Sequence, residues 1–299
     1  MSIEICDITD PSELIKVEEL QKKVWGMRDR DIVPVHMMIA ALMSGGLVLG
    51  AYDEKRNLVG FVFGIIGVRE GMVIHHSHMA GVLSGLRYKG IGYKLKLAQR
   101  ERVLSQGIRL IEWTFDPLRA PNAKLNFNKL GGISQRYIED VYGTLRDSIN
   151  YGVPSDRLLL DWWIDTPRVK AKLKGKLKTP QVNELISQGV KLANEVRLVN
   201  KEHTIIEELK SIDFGLNSKG ILIRVPFNDL ELKKLDFDQY MKWRYGLRKL
   251  FENYLNRGYI IADYISELKN KRRENFYLLI QCSLEEILNE EESYFNLLK

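Results

Sequence analysis

The sequence predicts an α+β protein. A mixed, mainly antiparallel sheet with a crossover helix fills the first half, and a second α/β half follows. Three observations carry this. Between residues 47 and 83, apolar strand-like runs follow one another across short polar turns, as in a meander. A helical pattern over 90–105 then separates one strand from the next, as a crossover does. After a lysine-rich interruption near residue 170, strand and helix patterns resume and run to residue 299.

Residues 2–8 (SIEICDI) alternate apolar and polar, as a half-buried strand does. Asp10-Pro11-Ser12-Glu13 starts a helix, with Pro early and acid in the first turn. Leu14, Val17, Leu20 and Val24 share one face of it, and Gly26 stops it. A short helix follows over 35–43. Residues 47–52 and 58–68 are strands joined by the turn DEKRN, and 72–83 is a strand that pairs back on them. Residues 90–105 form a helix on Ile91, Leu95, Ala98, the stem of Arg102 and Val103, with Gly107 as its stop. A strand over 108–115, a helix over 120–130 ended by Gly131-Gly132, and strands over 133–141 and 157–164 complete this half.

Residues 165–180 (DTPRVKAKLKGKLKTP) carry lysine at 170, 172, 174, 176 and 178. As a strand this would set every charge on one face, a solvated linker or edge ribbon. The domain boundary is placed here, with domains over 1–165 and 166–299. In the second half, 191–199 and 203–212 read equally as strands or short helices, and 221–225 is a strand. Asn228 with Glu231 resembles a capping box that opens one long helix bearing Tyr240, Trp243, Leu247, Leu250 and Tyr254, ended by Gly258. Strands over 259–265 and 276–282 flank the basic turn KNKRREN, and Ser283 with Glu286 caps a last helix.

Composition bounds the chemistry. The 299 residues are 45% hydrophobic and 28% charged, a globular balance with material for a sizeable core. A net charge of +6 suits anionic ligands such as phosphates and is too diffuse to demand nucleic acid. The short basic clusters lack interleaved aromatics, which argues further against a nucleic-acid partner. Two cysteines, Cys6 and Cys282, make no disulfide framework and no cysteine-built metal cluster. No apolar run is long enough to span a bilayer, and the acidic N-terminus lacks a signal-peptide layout. A soluble, cytoplasmic protein is the expectation.

The strongest motif is Arg87-Tyr88-Lys89-Gly90-Ile91-Gly92, R-x-x-G-x-G, after a strand and at the start of a helix. A helix N-terminus exposes unpaired N–H groups and partial positive charge. Glycines at 90 and 92 let phosphate oxygens approach the backbone, and Arg87 and Lys89 add charge. The third glycine of a dinucleotide loop is absent, and so is the G-K-[ST] of a Walker loop.

In this context the sequence resembles the GNAT superfamily, the Gcn5-related N-acetyltransferases, in which such a loop holds the pyrophosphate of acetyl-CoA. Asn122-Ala123 followed by Lys129-Leu130-Gly131-Gly132 is a second landmark. HSHMAGV, TFDPLRAPNAKLNFNKLGG and DRLLLDWW resemble a little-characterised prokaryotic subgroup of that superfamily. The resemblance implies a GNAT fold over 1–165 with a C-terminal α/β extension. It implies acetyl-CoA or another acyl-CoA as cosubstrate, and a small-molecule or peptide amine as acceptor. It places Val82 and Leu83 along the pantetheine arm and Gly81 near the bulge that splays this strand. Arg87, Tyr88, Lys89, Gly90, Ile91, Gly92 and Tyr93 fall on the diphosphate, and Asn122 beside the pantetheine slot. The tyrosine that protonates the leaving thiolate in many relatives is Phe127 here, which leaves Tyr93, Tyr137, water or no acid at all.

Counting back from Arg87, the position where GNAT enzymes often carry a carboxylate base falls at or next to His76. In a strand, His76 and His78 share a face and His75 points the other way. A neutral imidazole can take a proton from an ammonium. His76 and His78 are therefore the candidate catalytic residues, against the alternative of hydrogen-bonded core histidines. Zinc on His36, His76 and His78 lacks a further ligand, so no metal is expected. Glu112, Asp116 and Asp161 read as acceptor-side or merely structural acids. The expected activity is N-acyl transfer by direct attack on the thioester. The alternative is a non-catalytic acyl-CoA sensor. The oligomeric state stays open, a homodimer included.

Overall fold

The computed structural model describes residues 2–86, 89–143 and 151–299. Two compact units divide the chain. The first holds residues 1–113 and 142–154, the second 114–141 and 155–299. The boundary expected after residue 165 lies inside the second unit.

In the first unit the strands β1 (Glu4–Asp7), β2 (Leu47–Tyr52), β3 (Leu58–Arg69), β4 (Met72–Val82) and β5 (Leu110–Phe115, of which 110–113 belong here) stand in that order in the sheet. The first four are antiparallel neighbours, and β5 joins β4 in parallel. The parallel step requires a crossover, made by helix α3 (Ile91–Ser105). Helices α1 (Pro11–Trp25) and α2 (Val35–Met43) precede β2. Asp10 caps α1 by accepting from the Ser12 N–H, and Gly26 ends it in left-handed conformation at φ 68°. Leu14, Val17, Leu20 and Val24 of α1 and Met38 of α2 form one core with Ile8, Val48, Phe61 and Phe63. Each such side chain contributes about 1.5–3 kcal/mol on burial, so this face holds the unit together. Trp25 stands edge-on to Phe61, at 5.9 Å between ring centroids.

In the second unit the sheet order is β7 (Arg157–Trp163), β6 (Ile133–Ile138), β12 (Tyr259–Lys269), β13 (Arg272–Gln281), β11 (Gly220–Val225) and β8 (Lys191–Leu192). The chain from 194 to 212, which the sequence left open between strand and helix, is a separate hairpin of β9 (Asn194–Lys201) and β10 (Thr204–Ile212). Period two divides β13 between two layers. Phe276, Leu278 and Ile280 face a core with Leu185, Ile287 and Tyr294, whereas Tyr277 meets Phe251 edge-on at 5.2 Å.

Three expectations are corrected. The lysine ribbon is not a strand: residues 167–173 are helix α5, which buries Arg168, Val169, Ala171 and Lys172. Lys172 pairs with buried Asp263 at 2.7 Å, and Lys170 with Asp165 at 2.8 Å, so the lysines point in different directions. The long C-terminal helix is two, α7 (Asp229–Leu235) and α8 (Phe237–Asn256), because Asp236 leaves helical geometry and caps the second by accepting from the Gln239 N–H. The basic turn contracts to Asn270 and Lys271, both at positive φ, and its arginines continue the strand.

Candidate functional site

The site is built on β4 and its neighbours within the first unit. Opposite Gly64 of β3, β4 carries two residues, Ser77 and His78, since Phe63 pairs with Met79 and Ile65 with His76. This is a β-bulge, so the bulge lies three to four residues before Gly81, where the resemblance had placed it. Gly64 is required there: a Cβ would sit 2.1 Å from His75 Nε2. β5 pairs with β4 at His75↔Ile111 and His76↔Glu112, and no ladder pair continues beyond His76 among the described residues.

His75 and Ser77 face α3, where Gln99 meets both. His76 and His78 lie on the other face, with ring centroids 6.3 Å apart. His76 Nδ1 donates to Glu112 Oε1 at 3.2 Å, and Arg69 Nη1 donates to Glu112 Oε2 at 2.7 Å. With Nδ1–H engaged, the lone pair of a neutral His76 is on Nε2. Burial alone would raise the Glu112 carboxyl, but the His76 hydrogen bond and the Arg69 charge hold it below its ordinary value. Glu112 is thus paired with both His76 and Arg69, a pairing that its reading as an acceptor-side or merely structural acid did not foresee. Parallel pairing of β4 with β5 sets it beside His76, and no sequence spacing signals that. His78 stands edge-on to Phe63 at 5.9 Å. Desolvation, and then the neighbouring His76, push its imidazole below the ordinary value.

Val82 ends β4, and the Leu83 N–H continues the ladder to Val59 O at 3.0 Å. Arg87 and Tyr88 lie outside the described residues. Lys89 and Gly90 are exposed, and Gly90 is the N-cap of α3 in left-handed conformation, φ 79°. Among the described residues no side chain caps this terminus. The first three helical residues, Ile91, Gly92 and Tyr93, have N–H groups beyond the reach of intrahelical carbonyls. The Ile91 side chain is core, so only its backbone is free to serve a ligand. The terminus fits a diphosphate. A cleft of about 570 Å³ opens at the other end of these strands, between Gly45, Ile66, Val73 and residues 106–109, and contains none of the predicted residues.

Asn122 belongs to the second unit, exposed on the short helix α4 (Ala120–Ala123). That helix continues over Lys124–Lys129 as a π-helical turn rather than as the α-helix expected. Phe127 is fully buried there, edge-on to Phe115 and Tyr277. Tyr137 donates its hydroxyl to Asp156 at 2.7 Å, and burial raises its pKa, which removes it as a ready acid. Asp116 accepts from Arg244 Nη2 at 2.7 Å and from the Leu118 N–H, a structural role. Among the described residues no group of three or more His, Cys, Asp or Glu side chains is placed to hold a metal, and no helix is long and apolar enough to cross a membrane.

No family model and no curated protein matches the sequence. Solved structures similar to this chain include an acetyltransferase of the GNAT family from Streptococcus pneumoniae, at 14% identity over 54% of this chain and 98% of that one, TM-score 0.44. The ribosomal-protein-S18-alanine N-acetyltransferase of Escherichia coli follows at 12% identity over 55% and 94%, TM-score 0.42. Naa50 of Arabidopsis thaliana, bound to the bisubstrate analogue CoA-Ac-MVNAL, shares 20% identity over 54% and 98%, TM-score 0.42.

Proposed function

We propose that the first unit is an acyl-CoA-dependent N-acyltransferase of the GNAT kind. The observation that carries this is the base–orienter row His76–Glu112–Arg69 at the point where β4 parts from β5, on the strand that leads to the uncapped, glycine-led terminus of α3. The acyl thioester supplies an activated carbonyl, and the chain's residues do the rest. Backbone N–H groups of Ile91, Gly92 and Tyr93, with the charge of Lys89, hold a diphosphate. His76 Nε2 takes the proton of an acceptor ammonium, directly or through water, and Glu112 stabilises the imidazolium that results. N–H groups of β4 beyond the end of its ladder with β5 receive the developing oxyanion. The acceptor is a primary amine, on a small molecule or a peptide.

A second reading, a non-catalytic acyl-CoA sensor, is favoured by one observation. Phe127, at the position of the family's acid tyrosine, is packed in core and carries no proton. Calorimetry with CoA and acetyl-CoA, joined to thiol release over free amino acids, polyamines and peptides with free N-termini, separates the readings. Acyl transfer predicts binding and thiol release that His76→Ala lowers about 100-fold while CoA affinity stays. Binding without release on any amine favours the sensor, and no binding of either nucleotide overturns both.

A further inference from the structure

On the face of β4 away from His76 lies a polar cluster that the proposed chemistry does not use. Lys96 of α3 is 4% exposed, yet its partners are all uncharged. Its Nζ donates to Ser77 Oγ at 2.8 Å and to Gln99 Oε1 at 3.0 Å, and stands 3.6 Å from the centroid of the Trp113 ring. Gln99 Nε2 reaches Ser77 Oγ at 3.1 Å and His75 Nε2 at 3.0 Å. The cluster therefore joins α3, β4 and β5 at a single point. That point is the bulge, next to the ladder pairs His75↔Ile111 and His76↔Glu112. His75 and Ser77 flank His76, so the chain on both sides of the imidazole is tied to α3.

We infer that Lys96, acting through Ser77 and Gln99, is a positioning residue that fixes the β4 bulge so that His76 meets Glu112. The inference rests on the reading of His76 as the base. A bulged strand can move its extra residue by one position, and such a slip turns side chains to the other face. One apolar side chain at position 96 would fill the same space but would accept either register. The two hydrogen bonds of Lys96, to Ser77 and Gln99, are made together only when Ser77 points at α3, and then His76 points away from it. The ammonium form is disfavoured here: burial pushes the Lys96 amine well below the usual lysine range. Such a site is costly to keep for packing alone, and a buried hydrogen-bond network specifies geometry.

The test is a double-mutant cycle in the full chain. Lys96→Met keeps the volume and removes the donors. Thioester loss from acetyl-CoA without added amine, water being the acceptor, is measured for wild type, Lys96→Met, His76→Ala and the double variant, together with CoA binding by calorimetry and the His76 side-chain NMR signals of wild type and Lys96→Met. Lys96→Met is expected to lower the rate about tenfold with CoA affinity kept within about threefold, to cost nothing further once His76 is gone, and to move the His76 signals. An equal loss in both backgrounds, or His76 signals identical in the folded variant and wild type, overturns the inference. A His76→Ala rate equal to wild type instead overturns the base reading on which it rests. If Lys96→Met does not fold, Ser77→Ala, which removes only the bulge partner, enters the same cycle with the same outcomes.

Discussion

At the scale of single residues, His76 is defined by what it touches. Its Nδ1 is spent on Glu112, which leaves Nε2 as the accepting atom. Glu112→Gln keeps the shape but loses the charge that steadies an imidazolium. We expect it to lower kcat about tenfold or more, with little change in KM for acetyl-CoA, read by steady-state kinetics. Arg244 is a contrasting case, because its ion pair with Asp116 is buried, with side chains 1% and 9% exposed. Arg244→Ala strands the Asp116 carboxylate and should cost about 3–5 kcal/mol in denaturant unfolding. An unchanged midpoint would show that Asp116 finds other donors. Lys172 and Asp263 repeat the lesson in the lysine run: alternation along a sequence says nothing of direction once the segment is a helix.

At the scale of elements, α3 presents two distinct surfaces on one cylinder. Its first turn presents backbone N–H groups, and its sheet-facing row runs Ile91, Leu95, Gln99, Val103 at spacing four. Gln99 is a polar residue within an otherwise apolar row. That was the signal for the buried cluster, and a stripe drawn through Ala98 and Arg102 passed it by. Gly90 holds φ 79°, a conformation that costs an alanine about 1–2 kcal/mol. Gly90→Ala should therefore either fray the first turn or rotate its N–H groups. CoA binding by calorimetry is expected to weaken about tenfold while far-UV circular dichroism stays near wild type. Equal affinity would remove the loop from the diphosphate site. The elements α1, α2 and β1–β4 stood close to their expected bounds, because each is a continuous apolar run or an apolar face closed by a turn or stop signal. Where the stop is one aspartate, as at Asp236, periodicity ran straight through it.

At the scale of the whole molecule, acid should act through His75. Burial above all pushes its imidazole down to about 3, whereas an unfolded histidine titrates near ~6.5. Between those values the unfolded chain binds one proton more than the folded chain, so stability rises with pH there. The contribution is fully present above about 6.5 and falls by up to about 1.4 kcal/mol per pH unit as acid is added. His75→Gln removes that proton. Its unfolding free energy, measured between pH 6.5 and 4.5, should fall more shallowly than that of wild type. Parallel slopes would mean that His75 takes up its proton in the folded state. Much of this was legible in the sequence: the strand meander, the crossover helix, the glycine-led turn at its start and the shared face of His76 and His78 all follow from local periodicity, capping and backbone freedom. Tertiary structure alone decided that β5 lies on the open side of β4, and so that Glu112 meets His76, that Ser77 meets Lys96, and that the bulge falls opposite Gly64. The physical reason is that these contacts span 19–36 residues of chain or depend on ladder register, and no period within one segment encodes the register of another.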